Sequence, residues 1–195
     1  MEVKQISNSY LNSNTFILSD KSYDFCWLID IGDIDKVLAE IPDNCEVGGV
    51  FITHTHYDHI YGINQLLAAF PQLVVFTSQY GSEALYSDKK NLSKYQESSM
   101  VFEGKNVKIL SEGGCVQLFD NDIIHVVETP GHCPSCLTYY TDSFIFTGDS
   151  YIPSVKVVTK LPGGNREQAL NSVKKIKELS QDMIICPGHG NIIYH

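Results

Sequence analysis

The stretch Thr53-His54-Thr55-His56-Tyr57-Asp58-His59-Ile60-Tyr61-Gly62 constrains this chain more than any other. It packs three imidazoles and one carboxylate into positions 54–59. Neutral imidazole and carboxylate both ligate divalent transition metals well. Four such side chains this close together have little use as plain structure. The apolar run Val50-Phe51-Ile52 before them reads as a buried strand. The segment 62–70 after them reads as a helix ended by Pro71. The cluster therefore belongs in a strand-to-helix loop at a sheet end, where α/β proteins carry their chemistry.

Three later stretches repeat the arrangement. Thr129-Pro130-Gly131-His132 follows the β-like run 123–127, Thr147-Gly148-Asp149 follows Phe144-Ile145-Phe146, and Pro187-Gly188-His189 follows Met183-Ile184-Ile185-Cys186. Each is a strand, a glycine turn and one ligand-type residue. If the four strand ends converge on one edge, His54, His56, Asp58, His59, His132, Asp149 and His189 come together. Seven such residues suffice for two metals with shared coordination.

This ordered set, His-x-His-x-Asp-His followed by a lone His, a Gly-Asp and a final Gly-His, resembles the metallo-β-lactamase superfamily over nearly the whole chain. Asn14-Thr15-Phe16-Ile17-Leu18 and Leu28-Ile29-Asp30-Ile31-Gly32-Asp33 are similar to that family's first strands. The residue pattern alone supports a mixed α/β class with two facing sheets and helices outside. The resemblance implies a four-layer αββα sandwich.

The resemblance also implies roles. His54, His56 and His132 would hold a first zinc ion, Asp58, His59 and His189 a second, and Asp149 would bridge them. The metal pair would carry a bridging hydroxide as nucleophile, because cations lower the pKa of bound water to about 7. Asp58 would also orient that hydroxide. No Gly-x-Ser-x-Gly nucleophile elbow competes with this reading. The expected reaction is hydrolysis of a small ester, thioester or lactone.

Among branches of the family, the glyoxalase II-like thioesterases are most similar in layout, and Asn91-Leu92-Ser93 matches a stretch of theirs. Full glyoxalase II carries a helical C-terminal domain that helps bind glutathione, whereas this chain stops just after His189; glutathione thioesters are therefore not the expected substrate. True zinc lactamases lack the bridging Asp that Asp149 would supply. The flavin-partnered di-iron branch has Glu where this chain has His56. The tRNA-processing branch needs an RNA-gripping arm, for which there is no basic insert. A persulfide dioxygenase keeps the same motif but would bind one iron through His54, His132 and Asp149, and it remains an alternative. So does a non-catalytic metal-binding module, although structural zinc sites are closed and usually cysteine-rich.

Composition narrows the partners. The 195 residues suit one domain, spanning 1–195, with 43% hydrophobic and 19% charged residues. A net charge of −9 argues against a nucleic-acid surface and for a small-molecule substrate. No apolar run approaches the ~20 residues of a membrane span. The N-terminus lacks the basic start and apolar block of a signal peptide, so a cytoplasmic location is expected. The six cysteines are then expected to be reduced. Cys133-Pro134-Ser135-Cys136 follows His132 directly and leaves two readings open, a small-residue turn and a redox pair or metal clip.

The remaining pattern places strands at 3–6, 15–18, 25–29, 73–76, 107–110, 116–119, 123–127, 137–140, 144–146 and 183–186. Asp33 should cap a helix with Ile34, Val37, Leu38 and Ile41 on one face, while Asp30 reads as a turn residue. A helix is expected over 79–86, then a polar surface excursion over 87–106. Asn165 should cap a second long helix whose apolar face is Ala169, Leu170, Val173, Ile176 and Leu179. His125, inside an apolar strand, reads as a half-buried histidine with a hydrogen-bond partner, and His195 as a frayed end. Lys156 and Lys160, in the irregular section 151–164, are candidates to meet an anionic substrate. Tyr57, Tyr61 and Tyr151 are candidates to line its pocket.

Overall fold

A computed structural model provides the three-dimensional structure and describes residues 1–42 and 44–194. His195, expected to fray, lies outside them. In chain order the described elements are β1 Glu2–Ser7, β2 Asn14–Ser19, β3 Phe25–Ile29, α1 Ile34–Leu38, β4 Glu46–Phe51, α2 Ile63–Ala69, β5 Val75–Thr77, α3 Gln79–Ala84 and β6 Val107–Ile109. Then come β7 Cys115–Phe119, β8 Asp122–Glu128, β9 Leu137–Tyr140, β10 Phe144–Gly148, α4 Arg166–Leu179 and β11 Ile184–Pro187.

The strands form two sheets. The first has the order β1-β2-β3-β4-β5-β6, with antiparallel pairing up to β3 and parallel pairing after it. The second has the order β11-β10-β9-β8-β7, antiparallel except for β10 with β11. Inner strands are apolar on both faces, as strands covered on both sides must be. Ile17, Leu28, Val50 and Val75 pack outward with Val37 of α1 and Ile63 and Leu66 of α2. Phe16, Leu18, Ile29 and Phe51 turn inward onto Ile124, Val126, Tyr139 and Phe146 of the second sheet. Ile145 and Ile185 pack outward with Ile176 of α4. The result is the expected αββα order of layers. Each fully buried Phe or Leu in these layers contributes ~1.5–3 kcal/mol of transfer free energy.

Polar groups bridge the two sheets as well. Trp27 Nε1 donates to the Leu118 carbonyl at 3.0 Å, and the Tyr139 hydroxyl donates to the Ile52 carbonyl at 2.9 Å. The second bond lies just below the loop that carries the histidine cluster, so it ties the height of that loop to β9.

Several local expectations need correction. Leu170 is 63% exposed, while Ser172 is buried and donates to the Pro130 carbonyl at 2.7 Å. The buried stripe of α4 runs 169, 172, 176, and Leu170 sits about 100° around the helix from Ala169. Leu38 is turned out for the same reason, one residue beyond the buried Val37. Asp33 occupies the N-cap position of α1 without a side-chain cap bond. Its carboxylate instead accepts from Ser9 and Tyr61 and pairs with Lys36. Strand β5 begins only at Val75, because the Leu73 amide closes a turn onto the Phe70 carbonyl. The 87–106 excursion is pinned rather than loose: Asn91, Ser93 and Phe102 are buried. His125 stacks on Tyr140, centroids 5.1 Å apart, in place of the hydrogen bond expected for it. Among the described residues, no helix is long and apolar enough to cross a membrane.

Candidate metal centre

The seven ligand-type residues meet at one edge of the sandwich. Strands β8, β10 and β11 run in the same direction and end at that edge, β10 and β11 side by side and β8 beyond the antiparallel β9. Gly148 pairs with Pro187, so the loops bearing Asp149 and His189 are neighbours. Strand β4 delivers His54 and His56 from the opposite sheet, and a single 3-10 turn, Tyr57–His59, adds Asp58 and His59. The Leu137 amide donates to the Thr53 carbonyl at 2.8 Å and joins the two sheets at this edge. Glycine is required at position 188, where a Cβ would collide with Asp149 Oδ1. At Gly148 (φ +48°) a side chain would be both strained and driven into Thr53.

The donor atoms gather into three overlapping groups, within 4.8 Å in each: His54, His56 and His132; His54, His59 and Asp149; Asp58, His59 and His189. Asp149 turns one oxygen to each side. Its Oδ2 is 3.5 Å from His132 Nε2, and its Oδ1 is 3.5 Å from His59 Nε2 and 3.4 Å from His189 Nε2. Asp58 Oδ2 lies 3.3 Å from His189 Nε2 and 3.5 Å from His59 Nε2.

Four of the imidazoles, those of His54, His59, His132 and His189, are held by their other nitrogen. His132 Nδ1 donates to the Val158 carbonyl at 2.8 Å, leaving the Nε2 lone pair facing His56 Nδ1. His189 Nδ1 donates to the Leu11 carbonyl at 3.1 Å. His59 Nδ1 donates to Asp30 Oδ2 at 2.8 Å. Asp30 also accepts from the Thr53 amide and hydroxyl, both at 2.7 Å, and Thr53 Oγ1 in turn lies 3.1 Å from His54 Nδ1. One buried carboxylate thus orients two imidazoles, His59 directly and His54 through Thr53. This is how proteins aim histidines at metals.

Two buried atoms lack any hydrogen bond at this edge, His54 Nε2 and Asp149 Oδ1. Leaving a buried nitrogen and a carboxylate oxygen unpaired is costly, and both belong to metal-competent groups. The donor set of imidazoles and carboxylates therefore fits a divalent transition metal.

The charges of the side chains differ across the cluster. Burial, reinforced by His59 for His54 and by His132 for His56, lowers both pKa values, that of His56 to about 3, so these rings stay neutral. Burial opposes a charge on His59 too, but Asp58 and Asp30 outweigh it and raise its pKa. His189 is likewise pushed up to about 9 by Asp149 and Asp58 against the effect of burial. Partial burial opposes the charge on Asp149, yet His189 and His59 hold its pKa well below the carboxylate range.

A cavity of about 390 Å³ opens at His56 and Asp58. Tyr10, Leu11, Tyr57, Leu92, Tyr95 and Leu161 line it. Tyr10 meets Tyr57 edge to face at 5.3 Å, and Tyr61 stacks behind Tyr57 at 5.7 Å. Lys156 lies instead in a separate groove of about 420 Å³ against α4, with Tyr151. A void of about 30 Å³ beside it is lined by Lys156, His132 and Asp149. Lys160 is exposed and lines none of these three cavities. The Cys133 and Cys136 sulfurs are buried 3.3 Å apart, with Ser135 Oγ 3.1 Å from the first. Among the described residues, neither belongs to a metal-competent group, so the metal-clip reading is set aside: the sulfurs face each other and Ser135, under the loop.

Sequence reasoning missed five supports of the cluster: Asp30, Thr53, the Val158 and Leu11 carbonyls, and Ser13, whose hydroxyl donates to the Asp58 carbonyl at 2.7 Å. Only Asp30 had a signal, a carboxylate at a strand end followed by Gly32. It adopts φ +54°, which Asp tolerates better than most residues.

Comparison with known proteins agrees with this geometry. The model of the metallo-β-lactamase superfamily matches residues 36–189. The chain belongs to that superfamily. It is 28% identical over 185 residues to a hydroxyacylglutathione hydrolase of Pectobacterium atrosepticum, covering 94% of this chain and 64% of the relative. The chain thus spans about two thirds, slightly less, of the length of the curated relatives it matches. The B3 metallo-β-lactamase BLEG-1 superposes with a TM-score of 0.88 at 22% identity, covering 98% of this chain and 93% of that one. TTHA1623, solved in a di-iron-bound form, gives 0.81 at 22% identity, with 98% and 94% covered. These structural likenesses speak to the fold.

Proposed function

We propose that the protein is a dinuclear zinc hydrolase of a small, non-nucleic-acid ester, thioester or lactone. The observation that carries this reading is the Asp149 carboxylate, with one oxygen toward His132 and the other toward His59 and His189. In it, His54, His56 and His132 would hold one cation and Asp58, His59 and His189 the other, with Asp149 available to both. The relatives' shared hydrolase activity supports the reaction class.

Bound cations would acidify water and polarise the scissile carbonyl. The chain's own residues do the rest. Thr53, Val158, Asp30 and Leu11 fix the ring orientations, so that no reorganisation is needed during reaction. Asp58 borders the cavity, and the carboxylate oxygen turned away from His59 and His189 is free to orient a water molecule and accept its proton. A cytoplasmic setting belongs to the same proposal, because the six thiols, all unpaired, suit a reducing compartment.

Metal analysis of protein purified without added metal or chelator tests the reading. About two zinc ions per chain, with ester or thioester turnover lost on chelation, is the expected result. About one iron per chain would favour oxygen chemistry on a persulfide instead. Protein that takes up no metal at all would overturn the proposal.

A further inference from the structure

The cavity at the metal centre has a chemical character that the ligand cluster alone does not dictate. We infer that it receives an uncharged apolar arm of the substrate, aromatic or branched, and discriminates against polyanionic thiol conjugates. This inference rests on the hydrolase reading for its reaction, but on separate observations for its selectivity.

The first observation is the lining. Three tyrosines and three leucines form the wall, and among the described residues no Lys or Arg lines it. Asp58 borders it, and burial, Tyr10 and Glu97 together raise the pKa of the Tyr57 phenol. Away from the metal ligands the wall offers an anionic arm no basic side chain, and Lys156 lies in a different groove and in the small void beside His132 and Asp149.

The second is the backbone. Leu11 (φ +52°) and Leu92 (φ +63°) both adopt the left-handed conformation, which is unfavourable for a leucine, and both line this one cavity. Their neighbours hold them there. The Leu11 carbonyl accepts from His189 Nδ1. Leu92 sits between buried Asn91 and Ser93, which are anchored to Met100: Asn91 Nδ2 and Ser93 Oγ both donate to its carbonyl, at 3.0 and 2.9 Å. The packed segments on either side therefore force two apolar side chains toward the mouth. Leu11 and Tyr95 remain 61% and 72% exposed, an apolar surface left uncovered by the described residues.

The third is rigidity. Tyr10 donates to Gln96 Oε1 and Tyr61 to the Asp33 carboxylate, so the aromatic wall is set before any ligand arrives. A rigid apolar wall beside the reacting centre selects by shape and desolvation.

The reaction is R–CO–SR′ + H₂O → R–COO⁻ + H⁺ + HSR′. The C–S bond breaks, the water oxygen forms the new C–O bond, and one water proton leaves with the thiol. The test uses the zinc-loaded full chain and two thioesters of one phenylacetyl group, on uncharged N-acetylcysteamine and on glutathione. Expected is a kcat/KM at least 10-fold higher for the uncharged thioester. Tyr95→Ala, at an exposed site that should not disturb folding, should raise KM for it about 10-fold, the range for losing one apolar contact. The loss should fall in KM more than in kcat, and Leu92→Gly should act alike. Equal or better turnover of the glutathione thioester, or an unmoved KM in Tyr95→Ala, would overturn the inference. An uncleavable phenylacetyl amide of cysteamine separates the two readings through tyrosine fluorescence. Binding without turnover of either thioester would sink the hydrolase reading and leave the cavity assignment standing. Neither binding nor turnover would sink both.

Discussion

The trio His54, His56 and His132 offers imidazoles only, with the pKa values of His54 and His56 lowered by burial, whereas Asp58, His59 and His189 bring a carboxylate of their own and two imidazoles whose pKa values are raised. The trios also differ in how they are supported. The first is walled in by packed chain, with His132 tied to a main-chain carbonyl. The second leans on the buried Asp30 at one end, and at the other on His189, which is 24% exposed and hangs from Leu11. One structural edge thus presents two sites with different proton affinities. Burial dominates for His54 and His56, although Asp149 acts against it. Close carboxylates dominate in the second.

The largest expected effect erases the difference. Asp149→Asn removes the negative charge shared by both trios and should lower activity by more than about 100-fold and zinc content below two per chain; removal of even an outer partner costs ~10–100-fold. A variant that keeps two zinc ions and full turnover would rule out the bridging role. Asp30→Asn should act on one trio only. Asn tolerates the positive φ at this position, but loses the charge facing His59, so one of two zinc ions should bind ~10–100-fold more weakly in chelator competition. Equal weakening of both would show that the path through Thr53 to His54 matters as much as the direct bond.

A pH titration probes the two trios with opposite sign. His59 and His189 have raised folded-state pKa values, that of His189 about 9. Their stabilisation is complete below the unfolded value of ~6.5 and is lost as pH rises through about 9. His54 and His56 have lowered values, that of His56 about 3. Their stabilisation is present above ~6.5 and is lost as pH falls toward about 3. Metal-stripped protein should therefore show a urea midpoint that is greatest near neutrality and declines on both sides. Zinc-loaded protein should instead gain stability from pH 6.5 to 9, because ligation needs deprotonated nitrogens. A stripped protein whose midpoint rises steadily up to pH 9 would contradict the raised pair.

The smallest expected effect concerns the first trio's scaffold. Asn165 Oδ1 accepts from the Gln168 amide at 3.1 Å and caps α4, and the Asn165 amide donates to the Gly131 carbonyl next to His132. Asn165→Ala should cost about 1 kcal/mol of unfolding free energy, with zinc content intact. Loss of zinc would mean that the cap also sets the His132 loop.

Much of this architecture was legible before any coordinates. Strands buried on both faces announce themselves as continuous apolar runs, and Asn165 marks the start of α4 through a bond made within three residues. Legibility failed where a residue's environment comes from elsewhere in the chain. Asp30 looked like a turn residue because its partners, Thr53 and His59, lie 23 and 29 positions away. Leu170 looked like core because composition was right and the phase of the helix was not. Lys156 and Lys160 were read as anion partners from their stretch alone, but where each lies depends on how the section 151–164 folds against α4.

The sequence by itself determined the donor chemistry: which side chains can ligate, how closely four of them follow one another, and that each of the others ends an apolar strand at a glycine turn. These are local properties of side chain and backbone. Only the tertiary structure decided which oxygen of Asp149 faces which trio, that Asp30 backs two imidazoles, and that residues 10, 57, 92, 95 and 161 share one apolar wall. Those relations depend on two sheets packing face to face, and a distance across that interface is set by every side chain filling it.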